Sequence, residues 1–212
     1  MGRRSSLLIA AAVVAAACGK QSDSSPNTIG GDTNVPAGVV GSVVSTSSTI
    51  PAGMTITGNS GGQIAVHVTA DVSSLPQLQR YVDLLPASLR SGASKLAFDT
   101  TMKVTSEGYQ DTFNKDHALH TIVKFGAGVG DQYVLTKSDG VKITRTVKSV
   151  STTDDFPYGF LLIKVIKVEQ DSRVPGIKAF RYYANHKFGI VQFEIVNDDD
   201  SVVAFPIYHS NL

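Results

Sequence analysis

Apolar and polar residues alternate through most of the chain from Val39 onward, and that alternation predicts strands. Ile64, Val66, Val68 and Ala70 alternate with Gln63, His67, Thr69 and Asp71, and only Ala65 breaks the polar face. This is the pattern of a half-buried strand. In the run from Lys95, Leu96, Phe98, Thr100, Met102 and Val104 share one face, while Asp99, Thr101, Lys103 and Thr105 share the other. Leu119, Thr121, Val123 and Phe125 alternate again. A turn over Gly126–Asp131 precedes a strand over Gln132–Thr136, and Ser138-Asp139-Gly140 is a hairpin signal before Val141-Lys142-Ile143. Phe160–Val168 is apolar on both faces apart from Lys164 and Lys167, as expected of an interior strand. Val191, Phe193 and Ile195 are expected to face the core, with Gln192 and Glu194 facing water or a cavity mouth. Pro206 suggests that the last strand lies at a sheet edge.

One stretch has helical period instead. Leu78, Val82, Leu85 and Leu89 fall on one face, after a cap at Ser73 or Ser74 and with Pro76 in the first turn. Pro86 kinks or splits this helix, and Ser91-Gly92 closes it. The expected fold class is therefore mainly β (α+β). The architecture is an antiparallel meander or curved half-barrel sheet with one helical insertion around 74–91, in a single domain over 39–212. Pro36-Ala37-Gly38-Val39 recurs as Pro51-Ala52-Gly53-Met54. Two copies are too few for a solenoid and read as two similar turn-plus-strand units.

The N-terminus follows a different logic. Arg3 and Arg4 precede an uncharged run, Leu7–Ala17, that ends in Ala15-Ala16-Ala17-Cys18. A basic start, an apolar centre and small residues before a cleavage point make a secretory signal peptide over 1–17. The run is too short for a spanning helix, which needs about 20 residues. From Lys20 to about Gly38 the chain is polar, rich in Ser, Asp, Asn, Thr, Gly and Pro. Such a segment buries too little to offset its ordering entropy, so 18–38 reads as a flexible tether.

Cys18 is the only cysteine of the chain. Its position at the end of the signal resembles the lipobox of bacterial lipoproteins, whose cysteine thiol receives a diacylglyceryl group before cleavage. The resemblance implies lipidation at Cys18, cleavage after Ala15-Ala16-Ala17, and a membrane partner reached through lipid. Two or three acyl chains hold a protein durably where one binds only marginally. Gly19 follows the cysteine in place of the Asp of the inner-membrane retention signal, which favours the outer membrane. With Cys18 lipidated, no thiol remains for a disulfide framework or a cysteine metal site. Loss of Arg3 and Arg4 from the 19 Lys and Arg leaves a near balance with the 18 Asp and Glu. That balance gives no electrostatic footprint for nucleic acid.

A second resemblance covers Val129–Asn197. Tyr182-Tyr183-Ala184, then Gly189-Ile190-Val191, resembles the closing hairpin of many exported bacterial lipoproteins, and Val129-Gly130-Asp131 resembles an upstream turn in the same proteins. Some of those proteins resemble the curved half-barrel of periplasmic lipoprotein carriers and lipid-binding lipoproteins. The resemblance implies a curved sheet able to hold an apolar ligand. It carries over no catalytic residue. Trp, common after the Gly-Asp turn, is replaced by Gln132-Tyr133.

Candidate chemistry is sparse. Gly58-Asn59-Ser60-Gly61-Gly62 fits the Gly-x-Ser-x-Gly elbow of α/β-hydrolases, but that elbow needs a helix after the serine, and a strand follows here. Phe125–Asp131 is similar to a dinucleotide loop, with its third glycine one residue early and again a strand after it. His117 and His120, near Asp111 and Asp116, lack a third ligand at fixed spacing. Asn197-Asp198-Asp199-Asp200 offers oxygens of the kind calcium takes without the rest of an EF-hand loop. These observations assign no catalytic, cofactor or metal site. The expected protein is a non-enzymatic, lipid-anchored envelope module, structural or binding, partnered by the membrane and by an apolar ligand or an envelope protein. Two other readings stay open: an envelope serine hydrolase using Ser60, and a calcium-assisted adhesin or partner-binding subunit using Asp199.

Overall fold

Antiparallel hydrogen bonding joins thirteen strands into one sheet. The computed structural model describes residues 27–46 and 51–210. Ala15, Ala16, Ala17 and Cys18, with the first part of the segment read as a tether, lie outside the described residues. In chain order the strands are β1 (Val43–Thr46), β2 (Ala52–Ser60), β3 (Gln63–Asp71), β4 (Arg90–Gly92), β5 (Lys95–Thr105), β6 (Gly108–Asp111), β7 (His120–Lys124) and β8 (Gln132–Thr136). After them come β9 (Lys142–Val150), β10 (Phe156–Tyr158), β11 (Leu161–Ile163), β12 (Ile166–Asp171), β13 (Ile177–Asn185), β14 (Gly189–Asn197) and β15 (Val202–His209). The helix α1 (Pro76–Asp83) lies between β3 and β4.

Across the sheet the order is β7-β6-β5-β3-β2-β1-β15-β14-β13-β12-β9-β8, with β4 paired to β5. This is the mainly β antiparallel meander expected from the alternation. Its one long-range step is β1 against β15, with Val44 opposite His209 and Thr46 opposite Ile207. That step joins the two ends of the domain and bends the sheet until β7 and β8, consecutive in sequence, meet again. Side chains bridge this seam. The His120 Nε2 hydrogen-bonds the Tyr133 carbonyl at 3.0 Å, and the Lys124 N–H donates to the Tyr133 hydroxyl at 3.2 Å. The sheet is therefore nearly closed into a barrel.

Period-2 geometry sends alternate side chains to opposite faces. The interior takes Met54 and Ile56 from β2, Ile64 and Val66 from β3, and Phe180 and Tyr182 from β13. The helix crosses one end: Leu78 and Val82 pack with Val72 after β3, Leu96 at the start of β5, and Val203 and Phe205 at the start of β15. Tyr81 Oη donates to Asn197 Oδ1 at 2.7 Å, at the end of β14. Pro86 splits the helical stretch as expected, since a short 3-10 turn over Ala87–Leu89 follows it. The helix begins without a serine cap, after Leu75. Ser91-Gly92 belongs to β4 instead of closing the helix.

Several local expectations are corrected. Phe160–Val168 is not one interior strand. Gly159, at φ 58°, turns β10 into β11, a two-stranded hairpin separate from the main sheet. Phe160, Leu161 and Leu162 stand exposed at its tip, while β12 starts only at Ile166. β15 is not an edge strand, because β1 and β14 flank it. Pro206 is accommodated because the pairing with β1 runs only as far as Ile207. The two Pro-Ala-Gly copies differ: Pro36–Gly38 is a 3-10 turn, while Ala52-Gly53 already lies in β2.

The stretch 27–38 is held on the domain, although its composition is that of a tether. Ile29 is 2% exposed. The Asn27 side-chain amide donates to the Val134 carbonyl of β8, and Gln110 of β6 donates to the Asn27 carbonyl. The segment therefore crosses the outside of β7, over the seam. Further along, Lys103 Nζ donates to the Ile29 carbonyl at 3.0 Å, and Asp32 and Ser106 exchange hydrogen bonds. The strap explains why β7 is buried on both faces, from His120 to Val123.

Candidate functional site

The barrel interior is not filled. An apolar cavity of about 370 Å³ lies within it, at the lower end of the range for ligand pockets. Its wall is mostly aliphatic and aromatic. Val44, Ile56, Ile64 and Val66 come from one side of the barrel, and Phe180, Ile190, Phe193 and Ile207 from the other. Phe193 stands at the centre of an aromatic group, with ring centroids 5.9 Å from Phe180, 5.4 Å from Tyr182 and 6.0 Å from Phe205.

Two polar groups interrupt this wall. The first is a buried ion pair, Arg145 Nη2 to Asp111 Oδ2 at 2.7 Å, with both side chains nearly inaccessible. Arg145 also donates to Gln170 Oε1 at 2.8 Å and to the His120 carbonyl at 3.1 Å, and its guanidinium lies 5.3 Å from the Tyr182 ring centre. Asp111 accepts a second bond from the Phe113 N–H. Burial pushes the Asp111 carboxyl up, and the Arg145 charge opposes it. The pair is closed on itself and presents no free charge to the cavity.

The second polar group is His209, at the end of β15. Its two ring nitrogens are buried, and neither makes a well-aligned hydrogen bond among the described residues, although the Ile190 backbone lies close to the ring. Burial lowers its pKa, opposed weakly by the nearby Ile190 backbone, so the ring is neutral near pH 7. Tyr109 reaches the same corner from β6. A Cβ built on Gly189 would overlap the Tyr109 hydroxyl and lie 3.4 Å from His209 Nε2. Burial alone raises the Tyr109 phenol well above its ordinary range.

The structure brings Asp111 and His120 together as register partners across β6 and β7 and places the other residues singled out for chemistry apart from them. Ser60 is exposed at the end of β2, and strand β3 follows it. Asn59 beside it is engaged with the Gly38 carbonyl and the Gly62 N–H. His120 is buried in the seam, while His117, at φ 50°, belongs to the preceding loop. Phe125–Asp131 is a loop that Asp131 closes on the Gly128 N–H. In the 197–200 turn, Asn197 accepts from Arg80 and Tyr81, Asp199 from Ser201, and Asp200 pairs with Lys178 at 2.5 Å. Among the described residues, no group of three or more His, Cys, Asp or Glu side chains is arranged to hold a metal ion. No helix there is long and apolar enough to cross a membrane.

Sequence reasoning did not pick out Arg145, Asp111 or His209 as a group. Each sits on an inward position of its strand, where alternation calls for an apolar residue, and that mismatch is the one signal that could have found them. No family model, curated protein or solved structure matches this chain.

Proposed function

We propose that this protein is a lipid-anchored lipoprotein of the bacterial cell envelope, held at the outer membrane through Cys18. Its barrel is a non-enzymatic binding module that holds an apolar ligand. The observation that supports binding is the apolar cavity of about 370 Å³ inside the nearly closed sheet. A core meant only for stability packs to crystal-like density with few voids larger than a water molecule. The support for anchoring is the order Arg3-Arg4, Leu7–Ala17, Cys18.

Two measurements test the reading. An apolar fluorophore titrated into the purified full chain should gain emission saturably, and Ile56→Trp, which fills the cavity, should abolish the gain while the chain stays folded. A fluorophore that finds no saturable site overturns the binding module. Metabolic labelling with a palmitate analogue should mark the wild type and not Cys18→Ser. Equal labelling of both removes the anchor.

A further inference from the structure

The cavity has chemically distinct regions. Most of its wall offers no hydrogen bond. The Arg145–Asp111 pair spends its charges on each other, and Arg145 places further donors on Gln170 and His120. That leaves the corner at Gly189. There the His209 ring carries an N–H and a lone-pair nitrogen, both buried; the Ile190 backbone is near enough to interact with the ring, but neither nitrogen makes a well-aligned hydrogen bond among the described residues. The Tyr109 hydroxyl fills the place a Gly189 Cβ would take and His209 Nε2 lies 3.4 Å from that place, so the two polar groups meet at one corner of the cavity wall. Buried polar groups are nearly always paired, with protein, water or a ligand. An orphaned imidazole on the wall of an apolar cavity therefore marks where a polar atom of the occupant belongs.

Building on the binding reading above, we infer that the cavity takes a neutral single-chain amphiphile. Its hydroxyl head sits between His209 and Tyr109, and its alkyl chain runs between Val66 on one side of the barrel and Phe193 on the other. Three features select this class. The volume suits one chain. A neutral imidazole and a phenol can each donate or accept, which matches a hydroxyl that does both. An anionic head would be buried without a free cation to meet it, because Arg145 is already paired with Asp111, and burying an unpaired carboxylate is strongly unfavourable.

The test uses decane, 1-decanol and decanoate as competitors against an apolar fluorophore bound to the purified full chain at pH 7.5. The wild type should bind decanol at least tenfold more tightly than decane or decanoate. In His209→Phe, decanol should fall to the affinity of decane while decane itself is kept. Tyr109→Phe should lose a smaller part of the preference, and His209→Gln, which keeps a donor and an acceptor, should retain most of it. If His209→Phe does not fold, the His209→Gln and Tyr109→Phe pair together with the wild-type ranking decides the matter. Decanol no tighter than decane overturns the inference, with water then satisfying the imidazole and the apolar cavity still standing. Decanoate binding tightest overturns it too. A saturably bound fluorophore that none of the three displaces overturns it as well, whereas a fluorophore that finds no saturable site overturns the binding reading itself.

Discussion

The Tyr109 ring spans the barrel from β6 to lie against Gly189 at the start of β14, so closely that a Cβ on Gly189 would overlap the phenol oxygen. Gly189 also has a φ of 72°, in the left-handed region that costs an L-residue about 1–2 kcal/mol. Two independent demands thus meet on one residue. The contact pins the end of the barrel opposite α1 and shapes the polar corner of the cavity.

Gly189→Ala should therefore destabilise the protein by about 2–5 kcal/mol, the sum of backbone strain and overpacking. In a Tyr109→Phe background the overpacking part should shrink and the backbone part remain. Urea denaturation of the four proteins of this cycle measures the coupling. An identical cost in both backgrounds would mean that the phenol does not constrain Gly189.

Arg145→Met should cost about 3–5 kcal/mol, because it strands the Asp111 carboxylate in the interior. Adding Asp111→Leu to Arg145→Met should restore most of that loss, since a buried pair is often replaceable by apolar residues of similar volume. A double variant as unstable as the single one would show that the bonds from Arg145 to Gln170 and the His120 carbonyl matter more than the charge.

Acid should weaken the seam before it titrates most carboxylates. Burial and the Arg145 charge hold His120 at about 4, against an ordinary 6.5. The unfolded chain therefore takes the proton first. The stability that His120 contributes is complete above pH 6.5 and is lost as pH falls from 6.5 towards 4, by up to about 3 kcal/mol. His209, also lowered by burial, acts in the same direction. Asp111, raised by burial, acts in the opposite one. Urea midpoints at pH 7.5 and 4.5 should differ clearly in the wild type and less in His120→Gln. Equal pH dependence in both would remove His120 from the seam's titration.

Glu194 departs from its expected place in water. It is buried on β14, where Tyr183 Oη donates to it at 3.1 Å, Gln192 Nε2 at 2.7 Å, and Arg181 lies 3.7 Å away. Glu194→Ala should then cost about 1–3 kcal/mol, leaving donors unpaired. Phe193→Ala, on the cavity wall, should cost less than the about 3–5 kcal/mol of a fully packed phenylalanine, because part of its ring faces empty space. Paired denaturation curves check the two.

The strands were legible because one buried face per strand leaves a period of two, as in Ile64–Ala70 and Leu96–Val104. Closure was not, because it depends on Val44 meeting His209 across almost the whole domain, and no local pattern encodes that pairing. Alternation places Phe193 inward but says nothing about whether the space it faces is filled. For Glu194 it assigns the outer face correctly and misses the burial, since the cover comes from Arg181 and Tyr183 on the neighbouring strand. Phe160-Leu161-Leu162 misled in the opposite sense. Apolar composition pointed to the interior, and the turn at Gly159 turned all three outward.

The strap offers the clearest separation between composition and structure. Residues 27–38 have the polar make-up of a tether, yet Ile29 and Ala37 are buried and Asn27 links β6 to β8 across β7. β7 and β8 share only side-chain bonds, and at one end of the seam Asp116 accepts from Ser138 while Lys115 pairs with Asp139. Burying one isoleucine contributes about 1.5–3 kcal/mol, and each strap hydrogen bond adds about 0.5–1.5 kcal/mol. A chain beginning at Val39 should therefore be less stable than one beginning at Asn27 by about 3 kcal/mol or more. It should also exchange its amide hydrogens fastest in β7 and β8, where the strap's loss uncovers the ladder's end. Denaturation midpoints compare the two chains, and hydrogen exchange locates the difference. Equal midpoints would make 27–38 a tether after all, and fast exchange spread evenly over the sheet would place the loss in general stability instead of the seam.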